Sequence, residues 1–241
     1  MTAIFKKEFK SYFLSPIGYI FVGVFMALAS MFFTSGVLYT QMADISLMFS
    51  NINVVYLFLA SLLTMRLLAE ERGKKTDQLL MSSPVSITEI VLGKYLAAMA
   101  VFGVTMLLTL IFPAIMYIHG NPALSEIIGS YIGFILLWGA FISVGVFISS
   151  LTESQMIAGV LTFASLLLIY FIGWFQQSVQ NPIAQKIIGL FSLLARYSEF
   201  QSGVLNIENI VYYLSFIFVF LFLTVSVIDK RRFSWGRYWN E

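Results

Sequence analysis

The sequence predicts an all-α membrane protein: six transmembrane helices, both termini cytoplasmic, forming one transmembrane domain over residues 1–241. Three observations predict it. Of 241 residues, 59% are hydrophobic and only 11% charged, whereas a soluble domain carries about a quarter charged residues. With a mean hydropathy of +0.89, too little polar surface exists to face water on all sides. Six apolar stretches approach the roughly 20 residues needed to cross ~30 Å of hydrocarbon. Finally, lysine and arginine concentrate on alternate connections, as orientation in a membrane requires.

The elements follow in chain order. Residues 1–16 read as an interfacial helix. On a helical wheel Phe5, Phe9, Tyr12 and Phe13 fall within about 100° of one another, with Lys6, Lys7 and Lys10 on the adjoining arc. The site residues assigned to it are Phe5, Lys6, Phe9, Lys10 and Phe13; the plainer alternative is the basic flank of the first span. Ser15-Pro16 ends it, because proline disfavours helix at the residue before it. The spans are 17–39, 52–68, 95–118, 127–149, 156–175 and 210–228. Ala27-Leu28-Ala29 in the first imitates a leader-peptide cleavage site, yet the apolar run continues through Met31, Phe32, Phe33, Val37 and Leu38. The second span is the shortest, and Arg66 near its end is expected to snorkel towards the interface.

Residues 69–94 form the longest cytoplasmic connection. Its charges from Glu70 to Asp77 precede a small apolar patch, Leu79-Leu80-Met81, and then Pro84. This pattern suits docking on a soluble partner, and equally a solvated loop whose charges only enforce topology. Ser86 to Glu89 has the spacing of a capping box opening the next helix. Pro113 removes a bond to the Thr109 carbonyl and should kink the third span. Gly129 and Gly133 allow close helix approach, within this chain or between chains. Residues 151–155 permit only a tight turn, which makes spans four and five antiparallel neighbours. In the loop 176–209, the apolar run Ile183 to Leu194 is too short to span and holds Lys186. It reads as a re-entrant or interfacial helix, or as a static cap, with turns at Asn181-Pro182 and Ser202-Gly203.

With the N-terminus inside, the cytoplasmic segments hold Lys6, Lys7, Lys10, Arg66, Arg72, Lys74, Lys75, Lys94, Lys230, Arg231, Arg232 and Arg237. That is 12 of 14 basic residues, leaving Lys186 and Arg196 outside.

The spans carry no acidic or basic residue near their centres, which argues against ion-coupled carriers and charged selectivity rings. The chain lacks cysteine and has one histidine, His119, so thiolate and multi-imidazole metal sites are excluded. No phosphate-binding G-x-x-x-x-G-K-[ST] loop is present. Uphill transport would draw its energy from another chain. The composition implies a lipid bilayer as partner and no nucleic acid.

Three segments in order resemble one family. Ile4-Phe5-Lys6-Lys7-Glu8-Phe9-Lys10-Ser11-Tyr12-Phe13, running into Ser15-Pro16-Ile17-Gly18-Tyr19, is the first. Glu70-Glu71-Arg72 through Thr76, Leu79-Leu80, Ser83-Pro84 and Gly93-Lys94 is the second. Phe200-Gln201-Ser202-Gly203-Val204 with Ile210-Val211-Tyr212-Tyr213-Leu214 is the third. Together they resemble ABC-2 type permeases, especially the gliding-motility and nitrous-oxide-maturation branch.

The resemblance implies a non-catalytic bacterial inner-membrane (plasma-membrane) subunit that provides the translocation pathway of an exporter, with no cofactor of its own. Residues 1–16 would be the elbow helix, and the 69–94 loop would hold a coupling helix docked on an ATPase. Its contact residues would be Glu70, Glu71, Arg72, Thr76, Leu79, Leu80, Met81 and Pro84. The loop before the last span would form a short extracellular helical cap. Two ATPase copies, holding ATP and magnesium, would serve this chain and a second identical or homologous permease. A non-transporting anchor or force-transmitting subunit of a motility, secretion or signalling assembly would use the same parts. Polysaccharide exporters of the superfamily line their channel with aromatics, but at 17% aromatic throughout this chain leaves substrate size open.

Overall fold

The computed structural model describes residues 1–40, 44–51, 53–76, 85–120, 122–178 and 192–238, and among them every regular element is helical. Helix α1 (Thr2–Leu14) stops at Ser15, which is extended, and Pro16 opens α2 (Pro16–Phe33). Proline suits that first position, since its missing amide hydrogen has no helical partner there anyway. A single π-helical turn, Thr34–Leu38, prolongs α2. Then come α3 (Ser46–Asn51), α4 (Asn53–Thr64) and α5 (Ala69–Gly73). The expected capping box is present: Ser86 Oγ accepts the Glu89 amide at 3.2 Å while Glu89 Oε2 accepts the Ser86 amide at 3.4 Å. It opens α6 (Ile87–Thr109), which breaks at Leu110 and resumes as α7 (Ile111–His119), the kink expected of Pro113. The chain continues through α8 (Leu124–Leu151), α9 (Gln155–Ser178), α10 (Leu193–Gln201) and α11 (Ile207–Tyr238).

Helix α8 is the central post. Of its membrane-length stretch 78% is buried, against 17% for that of α11. Around it α2, α4 and α6 bring in a closed set of aromatic rings. Phe25 stacks on Tyr56 at 4.5 Å, and Phe102 stacks on Trp138 at 4.4 Å. Phe21 meets Trp138 edge-on at 5.8 Å. These are the offset and edge-to-face spacings that favour aromatic pairs beyond their buried area. The outward faces of α9 and α11 carry Met156, Val160, Leu168, Leu214, Phe218 and Phe222 exposed, a surface suited to lipid.

Among the described residues, five helices are long and apolar enough to cross a membrane. Of the expected second span, 52–68, the structure describes the helix Asn53–Thr64; residue 52, between it and α3, lies outside the described residues. The chain then turns at Met65–Leu68, where Ser149 of α8 satisfies the non-helical backbone. Its hydroxyl accepts the amides of Leu68 at 3.1 Å and Ala69 at 3.0 Å and donates to the Met65 carbonyl at 3.2 Å. Irregular backbone in apolar surroundings is tolerated only where protein supplies the missing partners. Arg66 also departs from expectation. It does not snorkel but lies 9% exposed against α1.

Two further expectations are sharpened. The Gly129–Gly133 spacing serves packing within the chain: a β-carbon at Gly133 would come 2.5 Å from Phe200 Cβ, and one at Gly129 would collide with the Phe200 carbonyl oxygen. A short helix, Leu193–Gln201, stands before the last span; the apolar run Ile183 to Leu194, where a helix was expected, falls almost wholly on residues 179–191, which lie outside the described residues.

Candidate functional site

At the end of the bundle where α8 finishes, charged side chains from distant segments converge. The centre is Lys94 of α6, only 1% exposed. Its ammonium donates to the Leu67 carbonyl at 2.6 Å and to Glu8 Oε1 at 3.0 Å, and pairs with Glu71 Oε2 at 2.9 Å. The ammonium thus makes two hydrogen bonds and a close ion pair. Lys7 adds a second cation, 3.2 Å from Glu71 and 3.7 Å from Glu8. Two cations thus face two carboxylates, which makes burial of the group tolerable. Partial burial pulls the Lys7 ammonium down, but the two carboxylates outweigh it and raise it above its ordinary value.

Helix α1 supplies Glu8 because Ile4, Glu8 and Tyr12 share one face, and that face meets α6 and the α4–α5 turn. A β-carbon at Gly93 would lie 3.0 Å from Ile4 Cγ2, so the small residue sets how closely α1 lies on α6. The buried Tyr12 hydroxyl donates to the Leu63 carbonyl at 2.6 Å, one of the carbonyls left over at the end of α4. Burial pushes the Tyr12 phenol up, while Arg66 opposes the shift. The Arg66 guanidinium lies 4.2 Å above the Tyr12 ring and donates to Ser15 Oγ at 3.0 Å, fixing the α1–α2 corner.

Helix α5 is held from the other side. Arg72 donates to the Ser150 carbonyl at 3.0 Å and to Glu153 Oε1 at 2.8 Å, so a cation meets the C-terminal end of α8. A β-carbon at Gly73 would fall 2.6 Å from the Glu153 carbonyl. The helix closes in a Schellman motif, with the Thr76 amide bonded to Glu71 O at 2.9 Å and the Lys75 amide to Arg72 O at 3.0 Å. Lys75 takes the left-handed position, at φ 56°.

The structure therefore sorts the residues assigned from sequence. Glu71, Arg72 and Thr76 face inward or bond their own segment, while Glu70 pairs with Lys74 at 2.6 Å on the surface. Leu79, Leu80, Met81 and Pro84 lie outside the described residues. Phe5, Phe9 and Phe13 form a continuous half-buried stripe, with ring separations of 5.9 and 5.1 Å, and Lys6 and Lys10 are exposed beside it. Ser149 and Glu153 were not assigned a role from sequence, and Glu8 and Lys94 entered only within the segments that carry the resemblance, Lys94 also as a topology charge. Glu8 had a signal: it is the one acid among the basic residues of α1, on the same stripe as Ile4 and Tyr12.

A bundle of long apolar helices, with lipid-suited flanks and an ion-pair junction at one end, defines a multi-pass membrane protein. The chain belongs to a known family of this kind: the family described as ABC-2 family transporter protein matches residues 2–235. It is thus a membrane permease subunit of the ABC transporter class, a family that works with an ABC ATPase. Among curated proteins, none matches the chain.

Proposed function

We propose that this chain forms the translocation pathway of an ABC exporter in the bacterial inner membrane and belongs to the gliding-motility and nitrous-oxide-maturation branch. In this reading the Lys94 end and both termini are cytoplasmic, α4 completes a sixth membrane element, and the α10 end faces outward. Two ATPase copies, with ATP and magnesium, bind this chain and a second permease, identical or homologous. The segment 70–84 is the contact with the ATPase.

The observation that carries the reading is the Lys94 junction. Residues 77–84 leave from Thr76 and return at Ser86, and both anchors are fixed: one by Glu71 and Arg72, the other by the capping box and Lys94. A displacement applied to that segment would reach α1, α5, α6 and the α8–α9 turn together. The junction is a transmission, and ATP chemistry is assigned to the partner.

The test is copurification of the tagged full chain from its native membrane, followed by ATPase assay. An ATPase subunit should accompany it, and hydrolysis should depend on that subunit. If Leu79, Leu80 and Glu71 are disrupted together and both assembly and partner-dependent hydrolysis persist, the coupling assignment fails.

A further inference from the structure

The third predicted span contains a break whose loose carbonyl is tied by another helix. Pro113 has no amide hydrogen, so the Thr109 carbonyl loses its helical partner. The chain turns at Leu110 (φ −61°, ψ −13°), whose amide reaches back three residues to Leu107 O at 3.3 Å. Tyr131 of α8 donates its hydroxyl to the Thr109 carbonyl at 2.9 Å, and the same hydroxyl lies 3.2 Å from Thr109 Oγ1. Thr109 Oγ1 donates in turn to Met106 O at 2.8 Å. Both Thr109 and Tyr131 are buried. A neighbouring side chain thus re-satisfies the backbone that proline frees, as apolar surroundings require.

Beyond the break, α7 is lightly held. Phe112 and Met116 are buried, while Ile111, Tyr117 and Ile118 are exposed. Phe112 stacks at 4.8 Å on Phe33, the last residue of α2 before its π turn Thr34–Leu38. Two irregular helix segments therefore meet at one aromatic contact. Mid-helix π turns and proline breaks are the usual causes of bends, and hinges lie where few residues absorb the backbone change.

We propose that Leu110 is a hinge for α7 and that Tyr131 is the positioning residue that latches it through the Thr109 carbonyl. The proposal deepens the permease reading, on which it rests for its purpose: a transport cycle needs an element with two arrangements. Its measurement needs only this chain.

The chain has no cysteine, so spin labels can be placed in pairs on the full protein in lipid nanodiscs. Tyr117 with Ile128 spans the break, and Leu96 with Ile135 lies on its other side; all four are exposed. In Tyr131→Phe the ring stays and the latch goes. Nine residues of α7 swinging through about 20° move their tip about 5 Å. The Tyr117–Ile128 distances should shift or broaden by that amount, with Leu96–Ile135 unchanged. Adding Pro113→Ala restores an amide donor to Thr109 and should narrow the distribution again. If Tyr131→Phe does not accumulate, Pro113→Ala alone should give a single narrow distribution shifted from wild type. Unchanged Tyr117–Ile128 distances in these variants would overturn the hinge, as would an equal change in both pairs, which means general loosening. Failure to copurify an ATPase would instead overturn the permease reading and leave the distances as they stand.

Discussion

The two ends of α8 are held by different physics. At the Lys94 end, full charges join segments far apart in sequence: Glu8 and Lys94 are 86 residues apart. At the Phe200 end, helices meet by shape. Gly129 and Gly133 receive Phe200, and Gly203, at φ 76°, lies against Ser125 and Glu126. Most polar bonds there are local: Arg196 to Asn209 at 2.9 Å, Asn209 to Glu199 at 2.6 Å, and Tyr213 to the Leu193 carbonyl at 2.5 Å; Gln201 Nε2, donating to the Ser46 carbonyl at 3.3 Å, reaches further. Charges in apolar surroundings hold their partners at defined positions, because separation leaves each one bare. Glycine contacts cost little to separate when lipid can refill the gap. The first end is joined by paired charges, and the second by close packing.

The largest effect should come from stripping the junction of its acids. Glu8→Gln with Glu71→Gln leaves Lys94 buried without a counter-charge and should cost about 3–5 kcal/mol, read as thermal unfolding in detergent. Each single variant should cost less than half of that, because the other carboxylate still faces Lys94. Equal losses in singles and double would mean the pair is not shared, and the contrast between the ends would weaken. Added salt should change little, since screening acts chiefly on exposed charges.

Next in size, Gly133→Ala should cost about 1–3 kcal/mol by overpacking against Phe200. The variant Gly133→Ala with Phe200→Ala should lose less than the sum of the two singles, as contacting residues in a double-mutant cycle do. Additive losses would show that α10 does not sit on α8 through this contact.

Arg72 offers a middle case. Glu153 is 70% exposed, so Glu153→Gln should change stability by less than about 1 kcal/mol. Arg72→Ala also removes the bond to the Ser150 carbonyl and should cost about 1–2 kcal/mol. If the two variants cost the same, the carbonyl bond contributes nothing and the junction ends at α5.

Legibility in the sequence divides along similar lines. The Ser15-Pro16 corner, the Ser86–Glu89 box and the Pro113 break were readable because each depends on residues within one turn. The glycine pair announced close packing, yet its partner Phe200 lies about 70 residues away and no local pattern names it. The ion pairs of Lys94 were hidden for the same reason. A wheel placed Tyr12 with the phenylalanines, whereas the structure turns it inward, its hydroxyl on the Leu63 carbonyl at the end of α4 and its ring under Arg66. Hydropathy drew the second span to residue 68, but it cannot see Ser149 capping a turn at 65–68. Of the residues assigned to ATPase contact, Glu71 and Arg72 carry charges that tertiary partners already occupy.

The smallest effect has the opposite sign. Lys75 occupies the left-handed position that closes α5, where a side chain costs about 1–2 kcal/mol and glycine is the usual occupant. The glycine of this segment stands two residues earlier, at Gly73, because the Glu153 carbonyl leaves no room there for a β-carbon. The two demands fall on neighbouring positions, and the close approach has taken the glycine. Lys75→Gly should therefore stabilise the protein by about 0.5–1 kcal/mol, after the extra freedom of glycine in the unfolded chain is set against the relieved strain. Gly73→Ala should destabilise it. If Lys75→Gly melts no later than wild type, the left-handed turn is held without strain. If it melts later but lowers partner-dependent hydrolysis, the lysine itself is needed at the departure point of residues 77–84. That outcome would place function, rather than stability, at the charged end of the molecule.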